Sequence, residues 1–145
     1  MALSIAARGL LDPVPWDRHP AHLNAAGASM AFRADLYADV GGFDDTLTGE
    51  DRAFAAAAEA RDWRVRYSGL AKVSTTCRLE GRAPGGMAGA LAARVSEPDP
   101  FVDEVLETAD RTIRRLSLRG SLRRRFGAKP GFGPAWAAFE ASRAD

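Results

Sequence analysis

Hydrophobic positions recur along this chain at helical spacing, then in short alternating runs, then at helical spacing again. Residues 3 to 11 place Leu3, Ile5, Leu10 and Leu11 on a short helix, and the prolines of DPVPWDRHP end it, because each disfavours helix at the residue before it. Residues 28 to 32 read as a short buried strand. Arg33 to Val40 reads as a helix stopped by Gly41-Gly42, the usual place of a left-handed C-cap, with Phe43 returning to the core. A helix is predicted from Glu50 to about Arg61, where Phe54 and the run Ala55 to Ala58 offer a face for close packing. Arg64 to Tyr67 alternates like a strand with Val65 inward, and Lys72 to Cys77 carries the β-branched Val73, Thr75 and Thr76, with Ser68-Gly69 as the bend between them. After Gly81, a small-residue helix is predicted over 85 to 95, followed by a linker around Pro98 and Pro100. A long amphipathic helix over 101 to 118 places Val102, Val105, Leu106, Ala109, Ile113 and Leu116 at helical spacing. Gly120 and the stretch from Gly127 to Gly133 separate two further short helices, the last carrying Trp136 and Phe139.

Short strands alternating with helices predict an α/β arrangement. Three short strands make a small sheet, since an open parallel sheet usually has more strands and helices on both faces. Residues 1 to 96 form the α/β part on this reading, and residues 97 to 145 a helical, basic C-terminal extension. The chain has no internal repeat.

Composition narrows the class. At 145 residues with 46% apolar side chains, the chain has material for a core. Its single cysteine, Cys77, excludes an internal disulfide and a cysteine zinc cluster, which fits a reducing, cytoplasmic setting. The segment MALSIAARGLL is too short, and too interrupted by Arg8, to span a bilayer. Net charge is +1, but residues 110 to 129 hold eight Lys or Arg against one Asp. That segment reads as a solvated helical face, as a contact for an anionic membrane surface, or as a nucleic-acid contact. Phe126 is the one aromatic within it, which disfavours base stacking and makes nucleic acid the weakest of the three.

Chemistry concentrates at Glu50 and Asp51, an acidic pair at a predicted helix start behind a glycine-rich turn. Carboxylates are common there because they complement the helix dipole. A second role is to take a proton from a hydroxyl nucleophile. The flanking residues bear on the choice. The run GASMAFRADLYADVGGFDDTLTGEDRAFAAAAEARDWRVRYSGLAKVSTT resembles the C-terminal half of a family-2 glycosyltransferase. In that family a small strand and helix, a Gly-Gly-Phe turn and an acidic pair opening the acceptor-side helix follow in this order. The later RLEGRAPGGMAGAL is similar to a Gly-Arg-Ala-Pro-Gly-Gly segment of some bacterial members. Together the matches span roughly residues 22 to 95.

The resemblance implies a partial GT-A, nucleotide-diphospho-sugar transferase-like half, followed by the helical C-terminal segment. It implies transfer of a sugar from a nucleotide-diphosphate donor to a hydroxyl acceptor with inversion, Asp51 acting as base with Glu50 beside it. Gly27 and Ser29 would line the substrate site, Ser29 standing where many relatives have Asn. Arg78 and Arg82 would bring guanidinium forks to the donor diphosphate, or equally stand as solvent-exposed loop arginines with one paired to Glu80. A divalent metal, Mg or Mn, is expected for the complete family enzyme, with its ligands on a donor-binding half that has no counterpart before Gly27. That half would be an upstream polypeptide partner, and the enzyme would be cytoplasmic or peripheral to the membrane. The alternative is a non-catalytic remnant or interaction module that binds an anionic partner through the basic segment.

Other polar residues carry less. Gly41, Gly42 and Phe43 read as architecture, and Asp44 and Asp45 as solvated turn carboxylates. Pro84-Gly85-Gly86 is a weak anion-site signal. His19 and His22 read as surface residues, and Trp16 and Trp63 as packing.

Overall fold

Ala2–Leu11 forms helix α1, and its C-terminus is closed by the Asp12 N–H donating to Arg8 O at 2.9 Å before Pro13 and Pro15 divert the chain. The computed structural model describes residues 2–18, 20, 22, 25–81, 85–96, 108–127 and 129–142, the side chains of residues 2 and 3 excepted. A single 3-10 turn, Gly27–Ser29, precedes α2 (Ala34–Val40), which ends in Gly41 at φ 92°, the left-handed cap expected from Gly-Gly. Helix α3 is Glu50–Ala60, α4 is Met87–Ser96, α5 is Ala109–Phe126 and α6 is Phe132–Ala141.

The architecture is all-helical among the described residues, and this corrects the α/β, GT-A-like expectation. The segments predicted as strands, 28–32, 64–67 and 72–77, contain no strand. Side chains occupy backbone groups that a sheet neighbour would take. Trp16 Nε1 donates to Val65 O at 3.2 Å, the Tyr67 N–H donates to Asp17 at 3.3 Å, and Ser29 Oγ donates to Ala71 O at 3.0 Å. β-branched residues favour a strand only when a second strand lies alongside to pack against, so propensity without a partner leaves extended loop.

Helix α5 also differs from expectation. Its start is fixed by Thr108, whose Oγ1 accepts the Arg111 N–H at 3.3 Å, and it runs through Gly120 without a break. The expected span 101 to 107 lies outside the described residues. Ile113 is exposed while Leu116 and Gly120 are buried, so the inward face is rotated from the predicted one. Gly120 is buried because α1 crosses there: an added Cβ would meet the Leu11 backbone carbonyl. Gly133 plays the same part for α6 on α3, where its Cβ would meet Glu59 O. The alanine-rich face of α3 thus has the crowded neighbour its composition implies, with Ala55 and Ala58 both buried.

Two centres hold the fold. Leu36, Phe54 and Ala58 form an apolar cluster, joined by Met30, Val40, Trp63 and Val65. The second centre is ionic and lies where α1, α3, α5 and α6 meet. Asp12 is 1% exposed and accepts from Arg123 Nε at 2.6 Å and Nη2 at 3.2 Å. Arg119 Nε lies 3.0 Å from Asp12 Oδ2, the oxygen that Arg123 Nη2 also contacts, within ion-pair range but poorly aligned for a hydrogen bond, while its Nη2 reaches Glu59. The Arg123 guanidinium lies 4.0 Å from the Phe132 ring centroid, a stacked contact that lysine could not reproduce. Burial lowers the Arg119 pKa, but Glu59 and then Asp12 outweigh it, so the guanidinium is held charged more firmly than usual. The last tie is Asp62, a non-glycine residue at φ 62°, whose carboxylate accepts the N–H groups of Gly131 at 2.5 Å and Gly133 at 2.6 Å. It caps α6 from across the fold, since Gly131 has no side chain to do so.

Candidate functional site

The acidic pair, Glu50 and Asp51, lies in the first turn of α3. Gly49 enters the helix at φ 85°, a left-handed conformation that strains a residue with a Cβ but not glycine. Glu50 and Asp51 follow, both half-buried. Asp51 Oδ2 accepts the Gly27 N–H at 2.8 Å and Oδ1 accepts the Arg52 N–H at 2.7 Å. A Cβ on Gly27 would sit 3.7 Å from Asp51 Oδ2 and 4.0 Å from Glu50 Oε1, so the 3-10 turn rests directly against both carboxylates. Ser29, two residues on, is anchored through its hydroxyl to Ala71 O. Four predicted site residues, Gly27, Ser29, Glu50 and Asp51, therefore come together from two separate segments.

Beside them opens a cleft of about 700 Å³. Its floor is apolar, with Met30, Phe32, Leu36, Phe54, Trp63 and Val65, while Ser29, Arg33, Arg64 and Arg66 add polar groups. Asp51 and Glu50 are not among its lining residues. Asp51 stands at the rim: it is hydrogen-bonded to Gly27, between the lining residues Ala26 and Ser29, and shares a helix face with the lining Phe54, Ala55 and Ala58 at i+3, i+4 and i+7. Arg78 is exposed and does not line the cleft; Arg82, like His19, lies outside the described residues. The arginines among the lining residues are instead Arg33, Arg64 and Arg66. Their signal in the sequence is the alternation Arg-Val-Arg-Tyr, which sends Val65 to the core and leaves the arginines exposed. Arg33 is committed to Asp35 through a bidentate pair at 2.8 and 2.6 Å, which raises the arginine pKa and lowers that of Asp35 through that hydrogen bond. Arg64 lies over the Trp16 ring at 5.5 Å.

Tyr67 completes one wall of the cleft, with His22 edge-on at 5.6 Å and the Arg8 guanidinium 5.5 Å from its ring. Burial holds the Tyr67 phenol above the ordinary tyrosine range, and the charge of Glu59 adds to the rise. A folded-state pKa above the unfolded one means that the stabilisation is intact below pH about 10 and is lost as pH rises through the folded value. The thermal midpoint is therefore expected to fall as pH climbs above about 10, and Tyr67→Phe to flatten that fall. Unfolding scans against pH with tyrosinate absorbance check it; equal slopes for both proteins would contradict it.

Among the described residues no three His, Cys, Asp or Glu side chains converge to hold a metal ion. Among the described residues, too, no helix is long and apolar enough to cross a membrane. Comparison with protein-family models, curated proteins and solved structures finds no match to this chain.

Proposed function

We propose that this chain serves glycosyl transfer, presenting a hydroxyl acceptor to a nucleotide-diphosphate sugar held by a donor-binding polypeptide. The acceptor oxygen forms a bond to the anomeric carbon while the bond from that carbon to the diphosphate oxygen breaks, its electron pair leaving with the diphosphate. Asp51 takes the hydroxyl proton on the acceptor side, and the sugar inverts. Glu50 lies beside it. Negative charge grows on the departing diphosphate and needs cationic donors around it.

The observation that carries this reading is the meeting of Asp51, Gly27 and Ser29 at the rim of a cleft of about 700 Å³. An ionised carboxylate has about four acceptor sites. The N–H groups of Gly27 and Arg52 use two, which leaves room for a hydroxyl donor. An apolar, partly aromatic cavity with a few polar groups at its edge is the ordinary form of a small-molecule site. Arg64 and Arg66 are exposed lining residues, and arginine is a planar, permanently charged donor suited to an anionic substrate group.

A second reading, an interaction module for an anionic partner, draws support from the exposed arginines of α5. Turnover of nucleotide sugars decides between them. Product should form, with a rate that rises with acceptor concentration, when the chain is combined with a donor-binding polypeptide. Absence of both turnover and nucleotide-sugar binding, alone and in combination, would leave the interaction module in its place.

A further inference from the structure

The basic segment is divided by the fold. Helix α5 carries seven arginines and one aspartate. Arg119 and Arg123 face inward and are used up on Asp12 and Glu59. The outward arc is different: Arg111, Arg114, Leu118 and Arg125 fall at i, i+3, i+7 and i+14, which places them on one exposed ridge. Arg124 and Lys129, also exposed, extend the charge past the helix end. Arg114 pairs with Asp110 at 2.9 Å, but both are open to water, so the pair holds the arginine weakly. Outside residues 110 to 129 the balance reverses, with twelve Lys or Arg against eighteen Asp or Glu. The molecule is thus polarised, and one helix face concentrates its positive charge.

We propose that the outer face of α5 docks the protein on an anionic lipid surface. Charge alone would equally suit a nucleic-acid backbone. The apolar residue in the ridge separates the two. Leu118 is 47% exposed among the arginines, and Ile113 is 49% exposed on the same helix. An aliphatic side chain gains nothing from a phosphate backbone, whereas at a bilayer it enters the headgroup boundary while arginines reach sideways to lipid phosphates. A surface for single-stranded nucleic acid would instead be expected to show aromatics for stacking, and none stands on this ridge. Each arginine near an anionic bilayer strengthens binding about fivefold, and salt screens the effect. The proposal is independent of the catalytic reading, because no residue of the cleft enters it.

Co-sedimentation of the full chain with vesicles tests it. Binding is expected to phosphatidylcholine vesicles containing about one third phosphatidylglycerol, weak binding to pure phosphatidylcholine, and release at about 0.5 M salt. Arg114→Glu with Arg125→Glu should lower the partition coefficient at least about 25-fold, and Leu118→Ser by about threefold or more. All three positions are exposed, so circular dichroism should stay unchanged and the thermal midpoint fall only slightly, through the lost Arg114–Asp110 pair and the acidic helix end, which confirms that folding is intact. A chain that ignores anionic vesicles, binds neutral ones equally, or is indifferent to both variants overturns the proposal. Tighter binding to duplex DNA than to the anionic vesicles, unaffected by Leu118→Ser, overturns it in favour of nucleic acid.

Discussion

Replacing Asp12 with alanine is expected to remove about 3 to 5 kcal/mol of stability, a large part of what holds a small domain together. The carboxylate is almost fully buried, and both oxygens face guanidiniums, Arg123 on one side and Arg119 on the other. Without it, two cations stay in a site with little water, and only Glu59 remains as a counter-charge for one of them. A buried pair is not itself strongly stabilising, because desolvation offsets much of the attraction, but breaking one side leaves the other uncompensated. This asymmetry gives a control. Asp12→Leu combined with Arg119→Met and Arg123→Met removes all three charges together and should be closer to wild type than Asp12→Ala alone. Urea unfolding curves measure both; a small loss in Asp12→Ala, or a still larger loss in the triple variant, would contradict the role given to this network.

Gly120→Ala should also be destabilising, by about 2 to 4 kcal/mol, although intrinsic propensity alone predicts a gain of about 1 kcal/mol for alanine in a helix interior. The sign turns on one contact. The new methyl would fall on the Leu11 carbonyl, a backbone atom that cannot swing aside, so α1 and α5 must separate. Separation strains the same junction that carries Asp12, Arg119 and Arg123. Gly89→Ala is the matched comparison, since Gly89 lies within α4 and nothing approaches its Cβ position within 4 Å. Denaturation midpoints should move in opposite directions for the two substitutions. Equal shifts of one sign would mean that the close crossing of α1 and α5 does not form.

These two residues mark how far the amino-acid order can be read without coordinates. Helices α1, α2, α3 and α6 are legible because their signals are local: proline after α1, Gly41 after α2, an acidic first turn on α3, glycine before α6. The strands are not, because strand formation depends on a partner elsewhere in the chain, and Val73, Thr75 and Thr76 supply only a preference. Helix α5 misleads for a similar reason. Gly120 looks like a break when judged by propensity, yet it is a contact, and only the position of Leu11 reveals that. No local signal separates the buried Asp12 from the solvated Asp44, since burial is a property of the assembled helices. At the site, the acidic pair is visible as a helix start, and its neighbours Gly27 and Ser29 through the family resemblance. The arginines that line the cleft are Arg33, Arg64 and Arg66, whereas Arg78 lies apart on an exposed loop.

Asp51 either pegs residue 27 to α3 and nothing more, or also takes a proton from a sugar hydroxyl, and Asp51→Asn separates these two roles. The amide oxygen can still accept the Gly27 N–H seen at 2.8 Å, the NH2 group then facing the exposed Arg52 N–H that Oδ1 accepted, and it has no useful basicity. The decisive measurement is the rate of sugar transfer by this variant beside wild type, each combined with the donor-binding polypeptide, with the Gly27 amide resonance recorded in parallel. Transfer should fall by about 10² to 10⁴ while the Gly27 resonance and the thermal midpoint stay near their wild-type values. A variant that keeps its fold and transfers sugar at the wild-type rate would contradict the assignment of Asp51 as the base.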